Sequence, residues 1–300
     1  MPDLGRCQSL LPPISGGAHR AYCRFRIQPD GTPVGIELRV HEPLIELRLF
    51  VSRNFSADTA VLALVFFGLM GITVFGAIYV QDMLGFSPIE TGLSMLPLTL
   101  SLLIVAPIGG RLYDRIGPRV LTASGAFLVA IGFVWTAAFL HEFDYMILVP
   151  AYVLIGVGLG LVMSPTNTDA LNTAPAKHRV QASGVISTAR QVGSTFGIAI
   201  GGTIVATISN DRIVSFLESQ GESPAQAESL ERVLSESEGS QAAITGNIPA
   251  AEQEAILNAT RDGITDGIAG AYWASAAAAF LAAIIAVVFL RRVKPADDPD

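Results

Sequence analysis

The chain has 300 residues, of which 51% are hydrophobic and only 15% charged, against about 25% charged in an ordinary soluble domain. Charges are bunched between long uncharged stretches, which excludes a disordered chain and a nucleic-acid binder and argues against a single water-soluble core. The net charge of −7 sits in one place, because Asn210–Asp262 holds ten acids against three arginines and the rest balances to zero.

In chain order, residues 1–34 show Arg, Pro and Gly without periodicity and contain both cysteines, Cys7 and Cys23. Nothing in them has the apolar run of a secretory signal, and two such cysteines give neither a disulfide framework nor a CxxC metal site. They are expected to be an unstructured or misread N-terminal segment, and residues 35–56 a cytoplasmic amphipathic one. Six spans follow, each near the roughly 20 apolar residues that cross a bilayer core: Ala60–Val80, Thr91–Gly110, Val120–Leu140, Tyr145–Met163, about Ala182–Ile208, and Ile268–Leu290. Each alone fits a buried soluble helix; six together leave too little polar sequence for a surface. The expected fold is an all-α membrane protein with helices 1–5 within 57–208, an acidic extracytoplasmic loop at 209–263, helix 6 at 264–292 and a tail at 293–300. The loop has apolar residues at Ile213, Phe216, Leu217, Leu230, Val233 and Leu234 that suit short amphipathic helices.

Lys and Arg accumulate on the cytoplasmic side of membrane proteins. One alternating set of connections holds eleven of them, and the other holds three, all in the acidic loop. Both termini are therefore expected in the cytoplasm, in a multi-pass protein of the cell membrane. Small residues mark packing faces where helices approach closely without a hydrophobic drive. Gly193, Gly197 and Gly201 form such a face on the fifth span. Gly156, Gly158 and Gly160 read the same way, since no strand precedes them as a nucleotide-binding turn requires.

Between the second and third spans stands Gly110-Arg-Leu112-Tyr-Asp114-Arg115-Ile-Gly117-Pro-Arg119. The glycines permit a tight turn, Asp114 suits a neighbouring helix N-terminus, and an ordinary basic hairpin is the plainer reading. This G-x-L-x-D-R-x-G-x-R run resembles the signature loop of the major facilitator superfamily. Glu42 to Phe50 with Arg53-Asn-Phe55, Gly85 to Gly92, Gln181 to Gly184 and Arg190 to Gly193 resemble its fourteen-helix drug:proton antiporter branch. The resemblance runs from about Gly35 to Lys294 and covers the C-terminal half only. It implies one half, a 3+3 repeat, of a major facilitator fold. It also implies efflux of small amphipathic drugs or metabolites, proton-coupled in the intact form, with one wall of a midplane cavity supplied here. The change of character near Gly35 leads to the expectation of a shifted reading frame or misplaced start upstream of it.

Ionisable residues inside a membrane are functional candidates by default. Arg190, with Gln191, either faces the cavity or snorkels to the interface. Asn167 and Asp169 follow Pro165, where a broken helix end lining a pathway and an interfacial cap are both open. Asp58 and Asp266 read as boundary residues, and no carboxylate stands at a span centre. Phe66, Phe67, Met70 and Phe75 suit loose binding of greasy cations and equally suit packing or lipid contact. No nucleophile–base set, metal cluster or phosphate loop is present, so neither an enzyme nor a cofactor is expected. The expected partners are the lipid bilayer, a small-molecule substrate, and a missing N-terminal half or a second copy. A transport-incompetent remnant is the competing reading.

Overall fold

The computed structural model describes residues 50–175, 178–219 and 250–290; the readings for 1–49, the middle of the acidic loop and the C-terminal tail lie outside them. The described residues are helical throughout, joined by short turns, and contain no strand. Helix α1, Arg53–Ile78, runs on through a π-helical turn at Tyr79–Met83. A short α2, Pro88–Ser94, leads into α3, Leu96–Ile116, and then α4 spans Pro118–Phe139. Helices α5, Tyr145–Thr173, α6, Arg179–Ser219, and α7, Ala250–Phe289, complete the order. Six of these segments, with α2 and α3 forming one, are long and apolar enough to cross a membrane.

Local sequence sets the turns. Ser87 caps α2 with its hydroxyl, which accepts from the Glu90 amide at 3.4 Å, while the Ser87 amide donates to Glu90 Oε2 at 2.8 Å. This reciprocal pair satisfies two donors that a helix start leaves open. Gly117 ends α3 and starts α4 at φ +88, a backbone setting that L side chains rarely adopt.

Cross-links between elements fix the order of ends. Near Gly117 lie the start of α1, the end of α3, the end of α5 and the end of α7. The Arg53 guanidinium donates to the Val288 carbonyl at 2.9 Å, and Asn54 and Tyr113 both reach Asp169. At the opposite end Tyr79 donates to the Leu140 carbonyl, Tyr145 to that of Ser94, and Arg261 to that of Met83. Consecutive spans thus alternate in direction.

Packing follows a pattern that exchanges the first three spans with the last three. Helix α1 packs on α6 as α3 packs on α5; α1 packs on α7 as α5 packs on α4; and α4 packs on α7 across the middle. The symmetry fails at one place, since α6 and α7 pack extensively while α3 and α4 barely touch. This pseudo-symmetric arrangement is a 3+3 repeat, as the resemblance to one major facilitator half implies.

The helices outrun the apolar spans read from sequence. Hydropathy reports only what the bilayer core needs, whereas backbone hydrogen bonding carries a helix on into polar sequence. So α1 begins at Arg53, α5 continues to Thr173, and α6 and α7 reach into both ends of the segment read as an acidic loop. Ile213 and Phe216 lie on that extension of α6. Nor does Pro165 end its helix: α5 runs unbroken through Pro150 and Pro165. A proline removes one ladder bond, a loss that membrane helices tolerate where neighbouring groups resupply the backbone.

Candidate functional site

Near Gly117 the structure brings four polar side chains from three helices into an otherwise apolar interior. Asn54 and Asp58 stand four residues apart on α1 and so share a face. Asp169 comes from the last turns of α5 and Tyr113 from the last turn of α3. The Asn54 amide donates to Asp169 Oδ2 at 3.1 Å, and the Tyr113 hydroxyl donates to Asp169 Oδ1 at 2.9 Å. Asn172, one turn beyond Asp169, bonds the same tyrosine side chain. Asp58 is 0% exposed and Asp169 1%.

The two carboxyls differ in what they receive. Asp169 has a donor on each oxygen. Asp58 stands one helical turn from Asn54, which bonds Asp169, so its carboxyl lies close to that of Asp169, but no N–H or O–H donor among the described residues reaches either of its oxygens. An ionised carboxylate only accepts, so two of them in contact offer each other nothing. Burial of an unpaired charge is among the costliest arrangements in a protein. Asp58, read from sequence as a boundary residue, is thus the most buried acid in the described structure.

The residues singled out from sequence spread over the molecule. In the signature loop Gly110 faces Ser164 of α5, where a Cβ would sit 3.0 Å from the Ser164 hydroxyl. Leu112 is half-buried, Gly117 is buried, and Asp114, Arg115 and Arg119 are exposed. Tyr113, inside the motif but not one of its signature positions, is the loop residue that enters the buried cluster. Arg190 lies eleven residues into α6, with its guanidinium 5.6 Å from the centre of the Phe66 ring of α1. That spacing is a cation–π contact. Gln191 is exposed, and Phe67 and Met70 are half-buried on α1. Asn167 turns back on its own helix and donates to the Met163 carbonyl at 2.6 Å. The path candidates are therefore not one constellation.

Gly193 and Gly197 lie against the backbone of α1: a Cβ on either would sit 2.0 Å from the Ala63 carbonyl oxygen or 2.2 Å from that of Phe67. Gly201 faces the Phe75 ring, 2.5 Å from a Cβ. On α5, Gly156 and Gly160 meet α3, while Gly158 and Gly125 of α4 pack reciprocally on each other's carbonyls. A second polar cluster ties the far end, where Asp266 of α7 receives His141 Nε2 at 3.0 Å and Arg212 Nε of α6 at 3.0 Å.

What sequence reading missed was Asn54, Asp58 and Tyr113. The signal available was the i, i+4 spacing of Asn54 and Asp58 just inside a span; the partner helices were not legible without the fold.

Comparison with known proteins agrees with this architecture. The pattern of the Major Facilitator Superfamily matches residues 15–198. The chain belongs to the major facilitator superfamily. That makes it a multi-pass membrane protein of a transporter family rather than an enzyme. The match begins upstream of Gly35, the onset read from the motifs. The chain is 30% identical over 216 residues to the multidrug resistance protein Stp of Mycobacterium tuberculosis, covering 72% of this chain and 40% of that relative. It is 29% identical to the tetracenomycin C resistance and export protein of Streptomyces glaucescens, covering 86% and 48%. It is 28% identical to the multidrug efflux pump LfrA of Mycolicibacterium smegmatis, covering 83% and 48%. The chain spans less than half the length of these relatives.

Proposed function

We propose that this chain is the C-terminal half of an exporter of small amphipathic compounds, acting in a proton-coupled cycle. The observation that carries the reading is the relatives' common description, since those above are named for multidrug resistance, efflux or antibiotic export. The six-span 3+3 bundle supports it, because transporters of this architecture bind at an interface between repeats and rock one half against the other. On this reading both termini face the cytoplasm, the acidic segment faces outside, and a second six-helix half completes the substrate cavity. Arg190, Gln191, Asn167, Phe67 and Met70 are its candidate contacts. The Gly110–Arg119 loop is its cytoplasmic signature, and Gly193, Gly197 and Gly201 are its packing glycines.

A second reading rests on length: a six-helix unit that inserts but does not transport alone. Dye efflux from cells expressing the chain alone, and together with the N-terminal half of a relative, separates the two, with insertion checked in parallel. Efflux above an empty-vector control in either setting supports the exporter reading. Insertion without efflux in both supports the second reading.

A further inference from the structure

The Asp58–Asp169 contact is two hydrogen-bond acceptors facing each other in an apolar interior. Three arrangements satisfy such a pair: a cationic side chain, a bound cation, or a proton held between the carboxyls. The charged side chains nearest in sequence are otherwise engaged. Arg53, one turn before Asp58, donates to the Val288 carbonyl and covers the Phe289 ring at 4.9 Å. Arg190 of α6 lies over Phe66, two turns further along α1. From α3 the group facing the pair is the Tyr113 phenol, and from α5 the Asn172 amide sits beside it. Helix α7 presents small residues to α1, with Ser275 against Gly71 and Gly68. Among the described residues, the one charged group found against Asp58 is a second carboxyl.

We propose that Asp58 and Asp169 form a one-proton site that locks the ends of α1, α3 and α5 together at the signature-loop end of the bundle. With one proton the pair carries a single negative charge. An O–H of one carboxyl then donates to the other, while Asn54 and Tyr113 donate to Asp169, so only one Asp58 oxygen is left without a donor. Losing that proton to water at the loop end leaves two negative charges in contact, away from solvent. Like charges at this range repel strongly when buried, and the relief available is separation of α1 from α5. Proton occupancy thus selects between a closed and a loosened loop end, which is the two-state element that a proton needs in order to bias a conformational change. The lock belongs to this chain alone; only its use in coupling rests on the export reading above.

The test uses the full chain, purified in detergent without substrate, so that failure of the export reading does not affect it. Infrared spectroscopy of the protein reads the carbonyl stretch of a protonated carboxylic acid directly. The expected result is one such band at neutral pH, lost in Asp58→Asn and in Asp169→Asn and kept in Asp82→Asn, an exposed control. Thermal unfolding is recorded alongside across the same pH series. The wild type loses stability as pH rises through the range where the band disappears, and Asp58→Asn, whose amide donates to Asp169 at any pH, stays flat. A band unchanged in both aspartate variants overturns the proposal, as does an identical pH slope in wild type and Asp58→Asn. Stabilisation by sodium at fixed pH, with no protonated-acid band, assigns the pair to a cation and overturns it as well.

Discussion

At the scale of single residues, the buried cluster is held by donors that arrive from different helices, so each can be removed separately. Tyr113→Phe keeps the ring and deletes the O–H that reaches Asp169 Oδ1. Leaving a buried acceptor unmade costs about 1–3 kcal/mol, more when the acceptor is charged. Unfolding of Tyr113→Phe in a denaturing detergent series is therefore expected to shift to lower denaturant by that amount. No shift would mean that Asp169 is held by Asn54 alone. This cluster was the least legible part of the molecule. Asp58 stands only five residues inside the helix start, where an acid ordinarily reaches solvent, and its burial is decided by α5 folding back over it. Asp169 carried a hint from its position after Pro165, but one of the two readings open there assumed that the proline ends the helix. Arg190 stood out in the sequence because it lies inside an apolar span. Its engagement with Phe66 across two helices is a tertiary fact, invisible to any window of sequence.

At the scale of elements, the spans were readable because uncharged runs of about 20 residues have few alternatives in one chain. Their true lengths were not, since helices end where backbone partners and caps end them, not where hydropathy falls. The Ser87–Glu90 box and Gly117 show the two local signals that did mark ends. Between helices, small residues decide how closely backbones approach. The α1–α6 contact makes this quantitative, because a methyl group on Gly193 would enter the Ala63 carbonyl itself. Gly193→Ala is expected to force the helices apart at a cost of about 1–3 kcal/mol, the usual range for overpacking. Gly184→Ala, on the same helix with nothing within 4 Å, is expected to leave stability unchanged or raise it by a few tenths of a kcal/mol, since alanine favours helix over glycine. Circular dichroism through thermal unfolding compares the two. Equal losses would remove the packing role assigned to the Gly193–Gly197–Gly201 face.

At the scale of the whole molecule, the broken symmetry of the bundle points to the surface that the six helices leave uncovered. Helix α3 packs on α5 and hardly on α4. Its outward stripe of Leu100, Leu103, Ile104 and Ile108 remains 49–69% exposed. A continuous apolar stripe of that size has no place in water and is an ordinary surface in a bilayer, where lipid tails solvate leucine as well as another helix does. A nitroxide label placed at Leu103 in the reconstituted chain is therefore expected to collide with dissolved oxygen, which concentrates in the hydrocarbon, and to be shielded from a water-soluble paramagnetic reagent. A label at Asp114, exposed in the last turn of α3 just before the Gly117 turn, is expected to show the reverse. Together the two positions set the depth of α3: their separation of 11 residues corresponds to about 16 Å along a helix, half the thickness of the hydrocarbon core. If the Leu103 label instead meets the aqueous reagent, the stripe lines a water-filled space, and α3 is then a wall of the transport path rather than its outer surface.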